Sequence, residues 1–133
     1  MAKTFMQMAD EAMEKAHQIS AEEALIELEK DSTALLVDVR DETEVQFTGL
    51  GIGALNASGR SLAWKADLEL DEEYREPELQ DRSRRIITTC GLSPCYRGAK
   101  AANLLADMGF TNVSFVDGGM KALLAVGLQT QKP

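Results

Sequence analysis

One short stretch of the chain concentrates the residue types that do covalent chemistry: Cys90-Gly91-Leu92-Ser93-Pro94-Cys95-Tyr96-Arg97. Cys90 closes the β-branched run Ile86-Ile87-Thr88-Thr89, which reads as a buried strand. The loop leads into a helix that carries Ala101, Leu104, Leu105 and Met108 on one face and stops at Gly109. A thiol held between a strand's end and a helix N-terminus lies in the positive potential of free N–H groups and the helix dipole. That potential lowers the thiol pKa, and the thiolate is the nucleophile. The same surroundings suit an anion such as a persulfide, thiosulfate or an oxyanion. Arg97, at the helix start, offers a fixed cation to clamp one. The competing reading of Cys90 is simple packing, since free cysteine is among the most buried residue types.

Cys95 leaves two readings open. It could reach Cys90 across the loop, closing a disulfide or resolving a persulfide. Alternatively, the two Cα atoms stand too far apart to be bridged.

Other chemistries find little support. One histidine, His17, is too few for a Ser-His-Asp triad or a histidine-based metal site, and it reads as a solvated residue at a helix end. Fourteen basic residues against 22 acidic ones give a net charge of -8, which argues against nucleic-acid binding and against docking on anionic lipid. No apolar run is long enough to span a bilayer. The N-terminus turns acidic at Asp10-Glu11, unlike a signal peptide, and two cysteines are too few for a secreted disulfide framework. The expected location is therefore the cytoplasm, and the 133 residues fit a single domain.

The elements that must position the loop follow from periodicity. Phe5, Met8, Ala9, Ala12, Met13 and Ala16 form an amphipathic first helix, so residues 1–17 read as a helical extension packed on the domain. Its methionines, Met6, Met8 and Met13, offer a dimer surface as the alternative. Ser20 and Glu23 cap a second helix through Ala24, Leu25 and Leu28. Ala34-Leu35-Leu36-Val37-Asp38-Val39 is a strand buried on both faces. Asp41 and Glu44 cap a short helix reaching about Phe47, Gly49 to Gly53 turns the chain, and Ala54-Leu55-Asn56 is a small strand. Ser58 caps a turn carrying Leu62 and Trp64, with Trp64 expected as a core anchor. Residues 67–85 read as an acidic surface excursion. Val113-Ser114-Phe115-Val116 is a strand, Asp117-Gly118-Gly119 a turn needing positive φ, and Met120 to Val126 a last helix. Strands alternating with helices imply a mainly parallel sheet covered on both faces, with ligands at the strands' carboxyl ends.

Five stretches in order resemble the rhodanese-like family of single-domain sulfurtransferases. They are Leu36-Val37-Asp38-Val39-Arg40-Asp41 with Glu44; Gly53-Ala54-Leu55-Asn56; Ile86 to Cys90; Arg97-Gly98-Ala99-Lys100 through Asn112-Val113; and Gly118-Gly119-Met120-Lys121-Ala122. The resemblance runs over residues 18 to 130. It implies a three-layer α/β/α fold around a five-stranded parallel sheet, and a persulfide on Cys90 that receives sulfur from a small donor and yields it to a thiol or cyanide. No dissociable cofactor and no metal are implied. Gly91, Leu92, Ser93, Cys95, Tyr96, Arg97 and Gly98 would line the anion site.

The departure from the family falls on this loop. The family has four residues between cysteine and arginine, related cell-cycle phosphatases have five, and this chain has six. Anchored on the strand, Cys90 is the nucleophile and the loop is two residues longer; anchored on the helix, Leu92 takes the cysteine's place and the domain is inert. Strand register is pinned by burial of alternate side chains while loops absorb insertions, which favours Cys90. A silent module for partner binding or redox sensing is the second reading, and a phosphatase ranks last. Gly98 replaces the family's Ser or Thr. Asp38 and Arg40 are expected to support the loop, with Arg40 paired to Glu44 or Asp41; Arg60 reads first as a solvated loop arginine, with a reach to the pocket mouth as the alternative.

Overall fold

The computed structural model describes residues 2–133. Five strands form one parallel sheet: β1 (Gln18–Ile19), β2 (Leu35–Asp38), β4 (Leu55–Asn56), β5 (Ile86–Thr89) and β6 (Val113–Val116), in the spatial order β1-β6-β5-β2-β4. The remaining two, β3 (Leu50–Gly51) and β7 (Thr130–Gln131), pair antiparallel beside it. This is the expected five-stranded three-layer α/β/α architecture. Both β1 and the β3–β7 pair lie outside what periodicity could find, because two residues carry no period.

Alternation along the strands builds the two cores. Leu35, Val37, Ile86 and Phe115 face one layer, formed by α1 (Phe5–Lys15), α4 (Leu62–Lys65) and α5 (Tyr96–Asp107). Leu36, Ile87 and Val116 face the other, formed by α2 (Ala21–Lys30) and α6 (Gly119–Ala125). Cys90 shares the parity of Ile86 and Thr88, so its side chain falls on the α5 side. A one-residue slip of β5 would turn it away. The pairings Val37↔Thr88 and Asp38↔Thr89 fix that register.

The first helix packs on α5. Ala9 is fully buried, and Asn103 on α5 donates from Nδ2 to the Ala12 carbonyl at 3.0 Å. The segment from 67 to 85 is exposed over much of its length, yet it is tied down. Leu79 is fully buried, and the Arg82 guanidinium lies 4.5 Å from the Phe110 ring centroid while donating to the Ala66 carbonyl. Trp64 is not the anchor expected of it. It is 47% exposed, and its neighbour Leu62 fills the core instead. His17 is exposed, but its Nδ1 meets Ser114 Oγ at 2.6 Å.

Beneath the cysteine loop lies a buried ion pair. Arg40 does not pair with Glu44 or Asp41 as expected; its Nε and Nη2 grip the Asp38 carboxylate, with Nη2 at 2.7 Å. The other donors of the fork reach Thr48 Oγ1 and the Gly49 carbonyl. Asp38 is the nearer carboxylate because it ends β2 two residues earlier, on the inward side. Asn56 completes the arrangement by donating to the carbonyls of Asp38 and Arg40. Removing one partner of such a pair strands a buried charge, so Arg40→Ala should lower the unfolding free energy by about 3–5 kcal/mol. Urea denaturation measures this, and a loss below about 1 kcal/mol would show that Asp38 finds another partner.

Candidate active site

Cys90 follows β5 directly, and α5 begins at Tyr96, so the loop spans Gly91 to Cys95. The loop's orientation is set from the far side by α6. Gly118 and Gly119 have φ of +81° and +59°, a left-handed path that brings the first turn of α6 under the loop. There the Met120 N–H donates to the Cys90 carbonyl at 2.7 Å and the Lys121 N–H to the Gly91 carbonyl at 2.9 Å. A Cβ on Gly119 would sit 2.6 Å from the Cys90 carbonyl oxygen, so no larger residue allows this approach. With its carbonyls drawn to α6, the loop turns amide groups toward the sulfur.

The cysteine sulfur and its surroundings form the floor of an open pocket of about 530 Å3, lined by Cys90, Gly91, Leu92, Ser93, Pro94, Tyr96 and Arg97 together with Phe5 and Glu44. Leu92 stands 61% exposed at the rim, whereas the Cys90 residue is 98% buried. Tyr96 meets Phe5 edge-on, with centroids 5.6 Å apart. Cys95 and Gly98 lie below this lining. Cys95 Sγ is 2.6 Å from Cys90 Sγ, and both thiols are unbridged. A Cβ at Gly98 would meet Cys95 Sγ at 2.6 Å, so the second sulfur occupies the space that a side chain at Gly98 would take.

Electrostatics single out one of the two sulfurs. Hydrogen bonding from Cys95 is the largest cause holding the Cys90 pKa down, to about 7; the Gly98 N–H, the Arg97 charge and the Gly91 N–H act in the same direction, against burial. Cys95 is pushed far up, because it spends its proton on Cys90 and is itself buried. Of the two, Cys90 is the sulfur that ionises first, near neutral pH, with the Cys95 thiol beside it as a hydrogen-bond donor to the thiolate.

Arg97 is not a free anion clamp. Its two terminal nitrogens grip the Glu44 carboxylate at 2.7 and 3.1 Å, and that pairing holds Glu44 below the usual carboxylate range and raises Arg97. Glu44 was expected on Arg40; once Asp38 has taken Arg40, Glu44 reaches across to α5. Asp38 and Arg40 do not line the pocket; their side-chain hydrogen bonds go to each other, Thr48 and Gly49. Arg60 is 78% exposed on its side chain, lies 3.7 Å from Glu42, and lines a separate cavity of about 220 Å3 with Asp41, Arg97 and Lys100. The backbone donors of Met120 and Lys121 are the contribution that residue types could not reveal. The Gly118-Gly119 pair signalled a turn, but not what the turn would touch.

A five-stranded parallel sheet between helices, with a cysteine where its central strand hands over to a helix, defines a class of α/β domain. The chain belongs to the rhodanese-like domain family, whose pattern it matches over residues 20–125. Among solved structures it is similar to a Rhodopseudomonas palustris protein of unknown function described as a possible tyrosine phosphatase, with 23% identity, a TM-score of 0.85, and 98% and 96% of the two chains covered. It is also similar to the rhodanese-like domain of the Anabaena protein Alr3790 (26% identity, TM-score 0.69, 87% and 79% covered). The human single-domain sulfurtransferase TSTD1 shares the fold at 24% identity, with a TM-score of 0.69 and 83% and 96% covered. By sequence comparison alone, no curated protein matches the chain.

A depressed thiol pKa has a direct kinetic reading. Below the folded-state value of about 7 the sulfur is protonated and slow, and above it the thiolate reacts. Iodoacetamide alkylation of the reduced chain should therefore rise to a plateau with a midpoint near 7. In Cys95→Ala, which loses the main cause, the midpoint should move up toward the ordinary thiol value of about 8.5. An unmoved midpoint would mean that the amides and Arg97 alone set the acidity.

Proposed function

We propose that this protein is a sulfurtransferase in which Cys90 takes sulfane sulfur from a small donor, thiosulfate or a persulfide, and passes it to a thiol or cyanide. The observation that carries this reading is Cys90 lining an open pocket, its thiol pKa held down to about 7 by the neighbouring thiol, by the Gly91 and Gly98 N–H groups and by Arg97. The thiolate attacks the outer sulfur of thiosulfate; a new S–S bond forms, the donor's S–S bond breaks, and sulfite leaves with the electron pair. An acceptor thiolate or cyanide then attacks the outer sulfur of the persulfide and returns Cys90 as thiolate. The pocket is wide enough for such an acceptor. A reducing cytoplasm, which keeps both thiols available, is the compartment this chemistry needs.

The phosphatase description of the Rhodopseudomonas palustris neighbour raises a second reading, and two features of this site oppose it. Glu44 lines the pocket and already neutralises Arg97, whereas phosphoryl transfer relies on a free cation around the transferring group's oxygens, a demand that attack on sulfane sulfur does not make. Pro94 removes one amide from the loop's possible donors.

The test is single-turnover release of sulfite. Mixing the reduced full chain with thiosulfate should liberate one equivalent of sulfite, lost in Cys90→Ser and kept in Cys95→Ser. Glu44→Gln frees Arg97 while preserving the amide carbonyl that accepts from the Asp41 N–H, and it should speed the release roughly two- to fivefold, the span of an exposed ion pair's energy. Sulfite release that survives Cys90→Ser sinks the assignment. Turnover of an aryl phosphate, lost in the same variant, would put the phosphatase reading in its place.

A further inference from the structure

We infer that Cys95 is a second catalytic sulfur, which attacks the Cys90 persulfide from within the protein, releases hydrosulfide, and leaves a Cys90–Cys95 disulfide for an external dithiol to reopen. The inference rests on the persulfide chemistry proposed above and adds a different product, sulfide, from the same site.

Position is the first argument. Cys90 faces the pocket, and Cys95, 99% buried, does not line it. Cys90 lines the pocket, which gives an outer sulfur added to it a place to lie. Cys95 Sγ, 2.6 Å from Cys90 Sγ and outside that lining, is within reach of the inner sulfur. Thiol–disulfide exchange proceeds by attack of one sulfur on a second and departure of a third, and this contact supplies the first two. The departing sulfide would leave into the open pocket.

Space is the second argument. The sulfur–sulfur approach exists because Gly98 has no side chain, since a Cβ there would lie 2.6 Å from Cys95 Sγ. The Cys95 sulfur is held by the Cys90 thiol and by the backbone N–H groups of Cys90 and Gly98, all at the site itself. A thiol that only filled space would not need the absence of a neighbouring side chain to reach another sulfur. Holding the two reactants in contact replaces a bimolecular encounter with an internal step.

The step balances without a further oxidant. Cys90–S–S⁻ and Cys95–SH become the Cys90–S–S–Cys95 disulfide and HS⁻. One S–S bond breaks and one forms, the Cys95 proton leaves on the sulfide, and the single negative charge is kept. The sulfane sulfur is reduced to sulfide and the two cysteine sulfurs are oxidised. A dithiol reductant then restores both thiols by ordinary exchange.

The experiment follows sulfite and sulfide separately after the reduced full chain is mixed anaerobically with thiosulfate and no added thiol. Wild type should release one equivalent of each, and its intact mass should fall by two hydrogens as Cys90 and Cys95 join. Cys95→Ser should release sulfite, hold the added sulfur atom as a stable mass adduct, and give no sulfide until a thiol is added. Gly98→Ala, which displaces Cys95 without removing it, should also lengthen the life of the adduct; it serves as the second variant if Cys95→Ser folds poorly. A stable adduct on wild type, with sulfite but no sulfide, overturns this inference and leaves the sulfurtransferase reading standing. Absence of sulfite from every variant and from wild type overturns both.

Discussion

A thiolate in a nearly solvent-free position is costly unless donors surround it, and the rest of this site follows from how that requirement is met. The largest contribution to Cys90 comes from another thiol, a weak donor in general but here at 2.6 Å. Two sulfurs that share one proton and one charge must be buried together, close to a helix N-terminus, with no atom between them. The packing supplies all three conditions. Cys95 precedes the first residue of α5, Gly98 lies in that helix's first turn, and the missing side chain at Gly98 lets the sulfurs meet.

The loop cannot serve this pair unless its peptides are turned the right way, and α6 decides that. A peptide plane has one donor side and one acceptor side, so fixing two carbonyls fixes the amide directions as well. Met120 and Lys121 receive those carbonyls at the N-terminus of α6, where free N–H groups need acceptors. The donors that hold the carbonyls thus come from the N-terminus of α6, and the amides that face the sulfur from the loop itself, at Gly91, and from the first turn of α5, at Gly98. Asp38 and Arg40 do comparable work lower down, holding the end of β2 and the turn at Gly49 in place. The surroundings of the Cys90 sulfur are set by residues that do not touch it.

The α/β architecture was legible because its signals are local. Three of the five strands in the main sheet announced themselves as short apolar runs and Leu55–Asn56 by the turn before it; most helices showed an apolar stripe or a cap, although Ser61 and not the expected Ser58 precedes α4 as its cap residue. The exceptions were set by tertiary context. Gln18–Ile19 becomes a strand only because β6 is there to pair with it, and Trp64 loses the core to Leu62 through the direction in which α4 lies. At the site, the loop residues and their proximity to Cys90 could be read from the strand-to-helix order. The ion-pair partners could not. Arg40 had three acidic residues within reach in sequence, Asp38, Asp41 and Glu44, and the choice among them depends on which carboxylate is buried beside it. That choice released Glu44 to cross to Arg97, turning an expected anion clamp into a neutralised pair.

The lengthened loop and the glycine at 98 looked like two separate departures from the family. In three dimensions they are one. Extra loop length would ordinarily loosen a ring of amides around the sulfur, and losing a hydroxyl at the helix start would take away a further donor. Here the added length lets Cys95 fold back beneath Cys90, and the missing side chain clears the volume its sulfur fills. Cys95 Sγ takes the space of a side chain at 98, and it offers Cys90 a hydrogen bond with one property a hydroxyl lacks. A hydroxyl can only stabilise the thiolate, whereas a sulfur at bonding range can also exchange with it.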